Sequence, residues 1–125
     1  MRVSRGLLMF MRVATLVQLI VGIVLWTGHL LSWVDVHRTI GVLFVLSLWI
    51  IAIIALVQRR SPGLAAFGIL WGLLVAGLGF MQQGILVGDL HWIIRVLHLA
   101  IGVASMPIAE KLVGNAAKSA AAVPA

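Results

Sequence analysis

The residues able to do chemistry in this sequence are few, and most of them are histidines. His29, His37, His91 and His98 are the only imidazoles in 125 residues, and cysteine is absent. Without thiolates, disulfide scaffolds, iron–sulfur clusters and covalent c-type attachment of a tetrapyrrole are excluded. What remains is the chemistry of a neutral ring that ligates a metal or exchanges a proton. His91, Arg95 and His98 are spaced four and then three apart, so on a helix they share one face. That stripe joins two potential ligands to a permanent cation. Arg38, directly after His37, is the other cation of the group.

The elements that must position these residues follow from composition. The chain is 63% hydrophobic and 10% charged, with mean hydropathy +1.21; soluble domains run about 45–50% apolar and about 25% charged. A soluble enzyme, a nucleic-acid binder and a disordered linker are excluded, and the lipid bilayer is the solvent. A hydrocarbon core about 30 Å thick needs about 20 apolar residues per helix, and four segments qualify: 13–33, 37–57, 64–87 and 91–112. Backbone groups in lipid must be satisfied within the segment, so these are helices. The expected fold is all-α, a transmembrane four-helix bundle forming a single membrane domain over 1–125. The apolar run after the N-terminal arginines is too long, and lacks the small-residue cleavage site, for a signal peptide. Arg2, Arg5, Arg12, Arg59, Arg60, Lys111 and Lys118 fall on one side and only Arg38 and Arg95 on the other. This asymmetry predicts a multi-pass protein with both termini in the cytoplasm, and the alanine-rich stretch 116–125 reads as a flexible tail. Gly68, Gly72 and Ala76, and again Gly84 and Gly88, form small-residue ridges. Such ridges suit packing inside the bundle or a homodimer contact.

All four histidines then lie in the outer half of the membrane, where ionisable side chains are costly and mark function. His37 and His98 are each followed four residues later by a glycine, Gly41 and Gly102, inside a repeated His-x-x-Ile-Gly-Val segment. A missing side chain one turn below each ring leaves room for a flat group seated against the helix. Asp35-Val-His37 and Asp89-Leu-His91 echo each other at the two outer turns, which suggests two parallel helical hairpins around a common site. The one carboxylate within the four spans, Glu110, lies toward the cytoplasmic end, away from the histidines, so none is at hand to complete a zinc site. Haem iron takes two axial imidazoles from opposing helices, an apolar slot for the macrocycle and cations for the propionates. The expectation is one or two haem b groups held by His29, His37, His91 and His98, with Arg38 and Arg95 near the propionates. Counting about 1.5 Å per residue from Arg12, Arg59 and Glu110, His37 and His91 lie within about 5 Å in height and His29 and His98 within about 8 Å. His37 and His98 lie about 15 Å apart on the same count. The expected pairs are therefore His37 with His91 and His29 with His98.

The placing of one histidine on helix one, one on helix two and two on helix four, across 13–112, resembles the small four-helix b-type cytochromes of bacterial membranes. This is the di-haem group that includes superoxide oxidase. The sequence is also similar, more weakly, to one half of haem A synthase, whose four-helix repeats put histidines near the outer surface. The resemblance implies a membrane electron carrier, possible oxidoreductase activity, and exchange of electrons between the quinone pool and an outward-facing partner. Two other readings stay open: a non-redox membrane subunit whose outer histidines sense pH, and an imidazole-lined metal carrier.

Overall fold

Large apolar side chains cover the outside of every helix: Leu16, Ile20, Ile53, Leu70, Leu73 and Val103 are all exposed. In water such a surface marks an interaction site; around a bundle of long apolar helices it is what lipid requires. In the computed structural model residues 2–121 are described, with side chains placed to Asn115. Helix α1 spans Arg2–Trp26, α2 Val34–Val57, α3 Pro62–Met81 and α4 His91–Ala121, with 3-10 turns at Leu31–Trp33 and Gln82–Gly84. The described residues contain no strand, and four helices are long and apolar enough to cross a membrane.

Two boundaries differ from the sequence reading for local reasons. Helix α1 runs from Arg2 to Trp26, where 13–33 was expected. It stops in a Schellman arrangement: Gly28 takes a left-handed φ of 82°, His29 N–H donates to the Val24 carbonyl at 3.1 Å, and Gly28 N–H donates to the Leu25 carbonyl at 3.0 Å. The Thr27 hydroxyl also donates to the Val24 carbonyl at 2.7 Å. His29 is consequently outside the helix. Helix α3 ends at Met81, where 87 was expected; Leu86 (φ 48°) and Gly88 (φ 97°) turn the chain instead. At the opposite end, α4 continues through 116–121, where the sequence predicts a tail; the remainder of that tail lies outside the described residues.

Packing is denser at the end of the bundle that carries the α2–α3 turn. Leu48, Ile51, Ala52, Ala109 and Leu112 are essentially inaccessible there. Gly68 brings α3 onto its neighbours, since a Cβ at that position would lie 3.4 Å from Leu112 and 3.5 Å from Ala52. Gly72 faces the Trp49 indole, whose Nε1–H donates to the Ile69 carbonyl at 3.0 Å. Both glycines are buried inside the chain, whereas Gly84 and Gly88 lie outside the α-helices and meet nothing. Trp71 ties α3 to α4 through the Ile101 carbonyl and the Ser105 hydroxyl. Arg12 pairs with Glu110 at 2.9 Å between α1 and α4. Each helix packs on its sequence neighbours, α1 closes on α4, and α2 also touches α4 across the bundle while α1 and α3 do not meet. The helices on the short diagonal are thus α2 and α4.

Candidate functional site

That diagonal brings two histidines together. His37 lies in the first turn of α2 and His98 two turns into α4; their ring centroids are 6.4 Å apart with the planes inclined by 58°. Each ring rests on a glycine of a flanking helix. A Cβ on Gly22 of α1 would lie 3.4 Å from Cε1 of His37, and one on Gly79 of α3 would lie 3.4 Å from Cε1 of His98. The rings border a cavity of about 490 Å³ in the half of the bundle away from the dense packing. Its apolar lining includes Phe44, Val45, Trp49, Val75 and Phe80. Sites for small molecules and cofactors occupy about 300–1,000 Å³.

The pairing corrects the expectation from depth, which joined His37 to His91 and His29 to His98. The inner markers of that count do not lie at helix ends. Glu110 is not the end of its helix: α4 continues to Ala121. Arg12 is likewise inside α1. Asn115 of α4 donates to the Ser61 hydroxyl in the α2–α3 turn at 2.8 Å. Counted from that level at about 1.5 Å per residue, His98 stands about 25 Å before Asn115 and His37 about 30 Å before Val57, so the two are nearly level.

The remaining sequence-derived residues divide. His91 lines the cavity, with Nδ1 3.1 Å from the Ile85 carbonyl. That contact makes Nδ1 the donor and leaves the Nε2 lone pair free. Arg95 is half-buried, lines the cavity and donates to the Trp26 carbonyl at a long 3.5 Å. Arg38 also borders the cavity and pairs with Asp35 at 3.2 Å. His29 is exposed beside the Thr27 hydroxyl at 3.0 Å and is not part of the lining. Gly102 lines the cavity, and a Cβ there would have nothing within 4 Å, as room for a flat group requires. The gap at Gly41 is filled from α1: a Cβ there would lie 3.0 Å from the Gln18 amide nitrogen.

Gln18, Gly22 and Gly79 carry no motif that singles them out in the sequence. A lone glutamine inside an apolar span is nonetheless a signal for the first, because a polar side chain in lipid needs a partner. Gln18 Nε2 donates to the His37 carbonyl at 2.9 Å.

Among the described residues no group of three or more His, Cys, Asp or Glu side chains is placed to hold a metal ion. A site built jointly from all four imidazoles is therefore not formed, and a pair of imidazoles is the ligand set on offer. Two imidazoles bound end-on to opposite faces of one metal, with metal–nitrogen bonds of about 2 Å, place their centroids about 6 Å apart. The separation of 6.4 Å matches that spacing. Nδ1 of both rings is buried and without a hydrogen-bond partner, an arrangement that costs about 1–3 kcal/mol per group when nothing compensates it. Comparison with protein families, with characterised proteins and with solved structures gives no match, so the functional reading rests on this geometry alone.

Proposed function

We propose that this protein is a membrane b-type cytochrome that holds one haem b between His37 and His98 and serves as an electron carrier. The observation that supports it is the imidazole pair with centroids 6.4 Å apart, bordering an apolar cavity of about 490 Å³. A bound haem supplies reversible one-electron chemistry. The chain's own residues do the rest. His37 and His98 would hold the iron, and a haem held by two imidazoles would supply electron transfer rather than oxygen binding. Phe44, Val45 and Trp49 exclude water from the slot. Arg95, whose guanidinium has no carboxylate partner among the described residues, offers charge to the propionates, and Arg38 adds a second cation already shared with Asp35. One ligand pair argues for a single haem per chain, because His29 stands outside the cavity and does not join His91. In this reading the protein spans a bacterial cytoplasmic membrane with both termini inside, and passes electrons between the quinone pool and an outward-facing partner.

The test is an absorption spectrum of the purified full chain with a pyridine haemochrome assay. One haem per chain, with sharp α and β bands on reduction, is the expected result. His37→Ala and His98→Ala should each abolish the low-spin spectrum, while His29→Ala should keep it. A colourless protein from haem-replete cells overturns the reading.

A further inference from the structure

Three buried polar side-chain atoms among the described residues have no hydrogen-bond partner: Gln18 Oε1, His37 Nδ1 and His98 Nδ1. All three belong to residues that line the same cavity. An imidazole that ligates through Nε2 carries its proton on Nδ1, so the set consists of two donors and one acceptor. The orientation of the Gln18 amide is fixed by its other end, because Nε2 donates to the His37 carbonyl at 2.9 Å. Reversing the amide would set two oxygens against each other. The unpartnered atom is therefore an acceptor. Gln18 and Gly22 share a face of α1 one turn apart. Gln18 meets the His37 backbone and Gly22 meets the His37 ring, so His37 lies along the stretch of α1 that carries the free acceptor.

We infer that Gln18 is a positioning residue for the cofactor: its Oε1 accepts the Nδ1 proton of His37 when that ring is an axial ligand. Metal-bound histidines usually donate their second ring N–H to an oxygen, which fixes the ring and raises its basicity. A more basic ligand favours ferric over ferrous iron. Gly41 is part of the same arrangement, since a Cβ there would lie 3.0 Å from the Gln18 amide nitrogen and would press the amide away from α2.

This inference rests on the haem reading, and the experiment separates the two. The full chain is loaded with haem b, and its midpoint potential is measured for wild type, Gln18→Met, Gly41→Ala and the double variant. Both single substitutions are uncharged; the first removes the acceptor and the second displaces it. Each should lower the ferric-over-ferrous affinity ratio about tenfold, which raises the potential by about 59 mV for a one-electron couple. The double variant should shift no further than the singles, because both act on one bond. Unchanged potentials in the variants, with unfolding stability alone reduced, would show that Gln18 merely ties α1 to α2 and would overturn the inference. Should Gln18→Met not fold, Gly41→Ala decides by the same criterion, alanine being the more favourable helix residue. A wild-type chain that takes up no haem fails at the first spectrum and removes the parent reading as well.

Discussion

Filling the cavity from Gly102 should separate the fold from the cofactor. Gly102 borders the cavity, and nothing stands within 4 Å of where its Cβ would be. A leucine there adds roughly 100 Å³ of side chain at interior packing density, about a fifth of the 490 Å³ available. The substitution also replaces glycine inside α4, where a better helix former is worth roughly 0.8 kcal/mol. The haem-free chain should therefore become more stable. The loaded chain should behave in the opposite way. At ligand concentrations of about 100 Kd, binding adds about 2.7 kcal/mol to wild type, and a blocked variant receives none of it. The order of stability then reverses: Gly102→Leu leads without haem by a little under 1 kcal/mol, and wild type leads with haem by about 2 kcal/mol. Unfolding in detergent with and without haem, together with a Soret titration, measures both orders. Gly102→Ala is the control; it should keep haem and gain about 1 kcal/mol. If Gly102→Leu takes up haem with the wild-type affinity and spectrum, the cavity is not the seat of the macrocycle.

Arg95→Gln should weaken haem affinity about tenfold, the loss of a charge-assisted bond of about 1.4 kcal/mol, while the low-spin spectrum stays unchanged; a titration followed at the Soret band checks it. Arg59 occupies the left-handed position (φ 53°) of the turn that closes α2, with Arg60 N–H donating to the Ala55 carbonyl. Arg59→Gly should therefore stabilise the chain by about 1 kcal/mol in reversible unfolding. Gly72→Ala drives a Cβ into the Trp49 indole and should cost about 1–3 kcal/mol as overpacking. The loss of the Trp49–Ile69 bond should appear as a change in tryptophan emission.

Helix number, membrane class and the histidines from which the pair is drawn were legible in the sequence because hydropathy and side-chain type carry them directly. The pairing was not. It depends on where helices begin and end, and those limits are set by backbone features that charge counting does not register. Thr27-Gly28 ends α1 early and strands His29 in a loop. The register of α4, in which Asn115 rather than Glu110 meets the α2–α3 turn at Ser61, brings His98 to the level of His37. Gly41 and Gly102 look alike in sequence, yet one receives the Gln18 amide and the other faces open space. The difference arises because α1 packs on α2 and presents a polar side chain there, a relation between helices that one helix's pattern does not contain. Gly22 and Gly79, which seat the two rings, have no histidine near them in the chain and become visible only once four helices are assembled.

The division of the bundle into a dense half and a hollow half predicts that the histidine pair can be altered without loss of the fold. Leu48, Ile51 and Ala52 of α2 and Ala109 and Leu112 of α4 are buried at one end. Trp49 and Trp71 add hydrogen bonds from α2 to α3 and from α3 to α4. These contacts determine how the helices cross before the other half is considered. His37 and His98 contribute no hydrogen bond from their Nδ1 atoms to that assembly; they are carried to within 6.4 Å of each other by it. Two imidazoles with both Nδ1 atoms buried and unpartnered cost desolvation free energy that offsets the packing of their rings on Gly22 and Gly79. Removing either ring from the haem-free chain should therefore leave stability unchanged or raise it. A loss of several kcal/mol in haem-free His98→Ala would instead make the histidines structural members of the core.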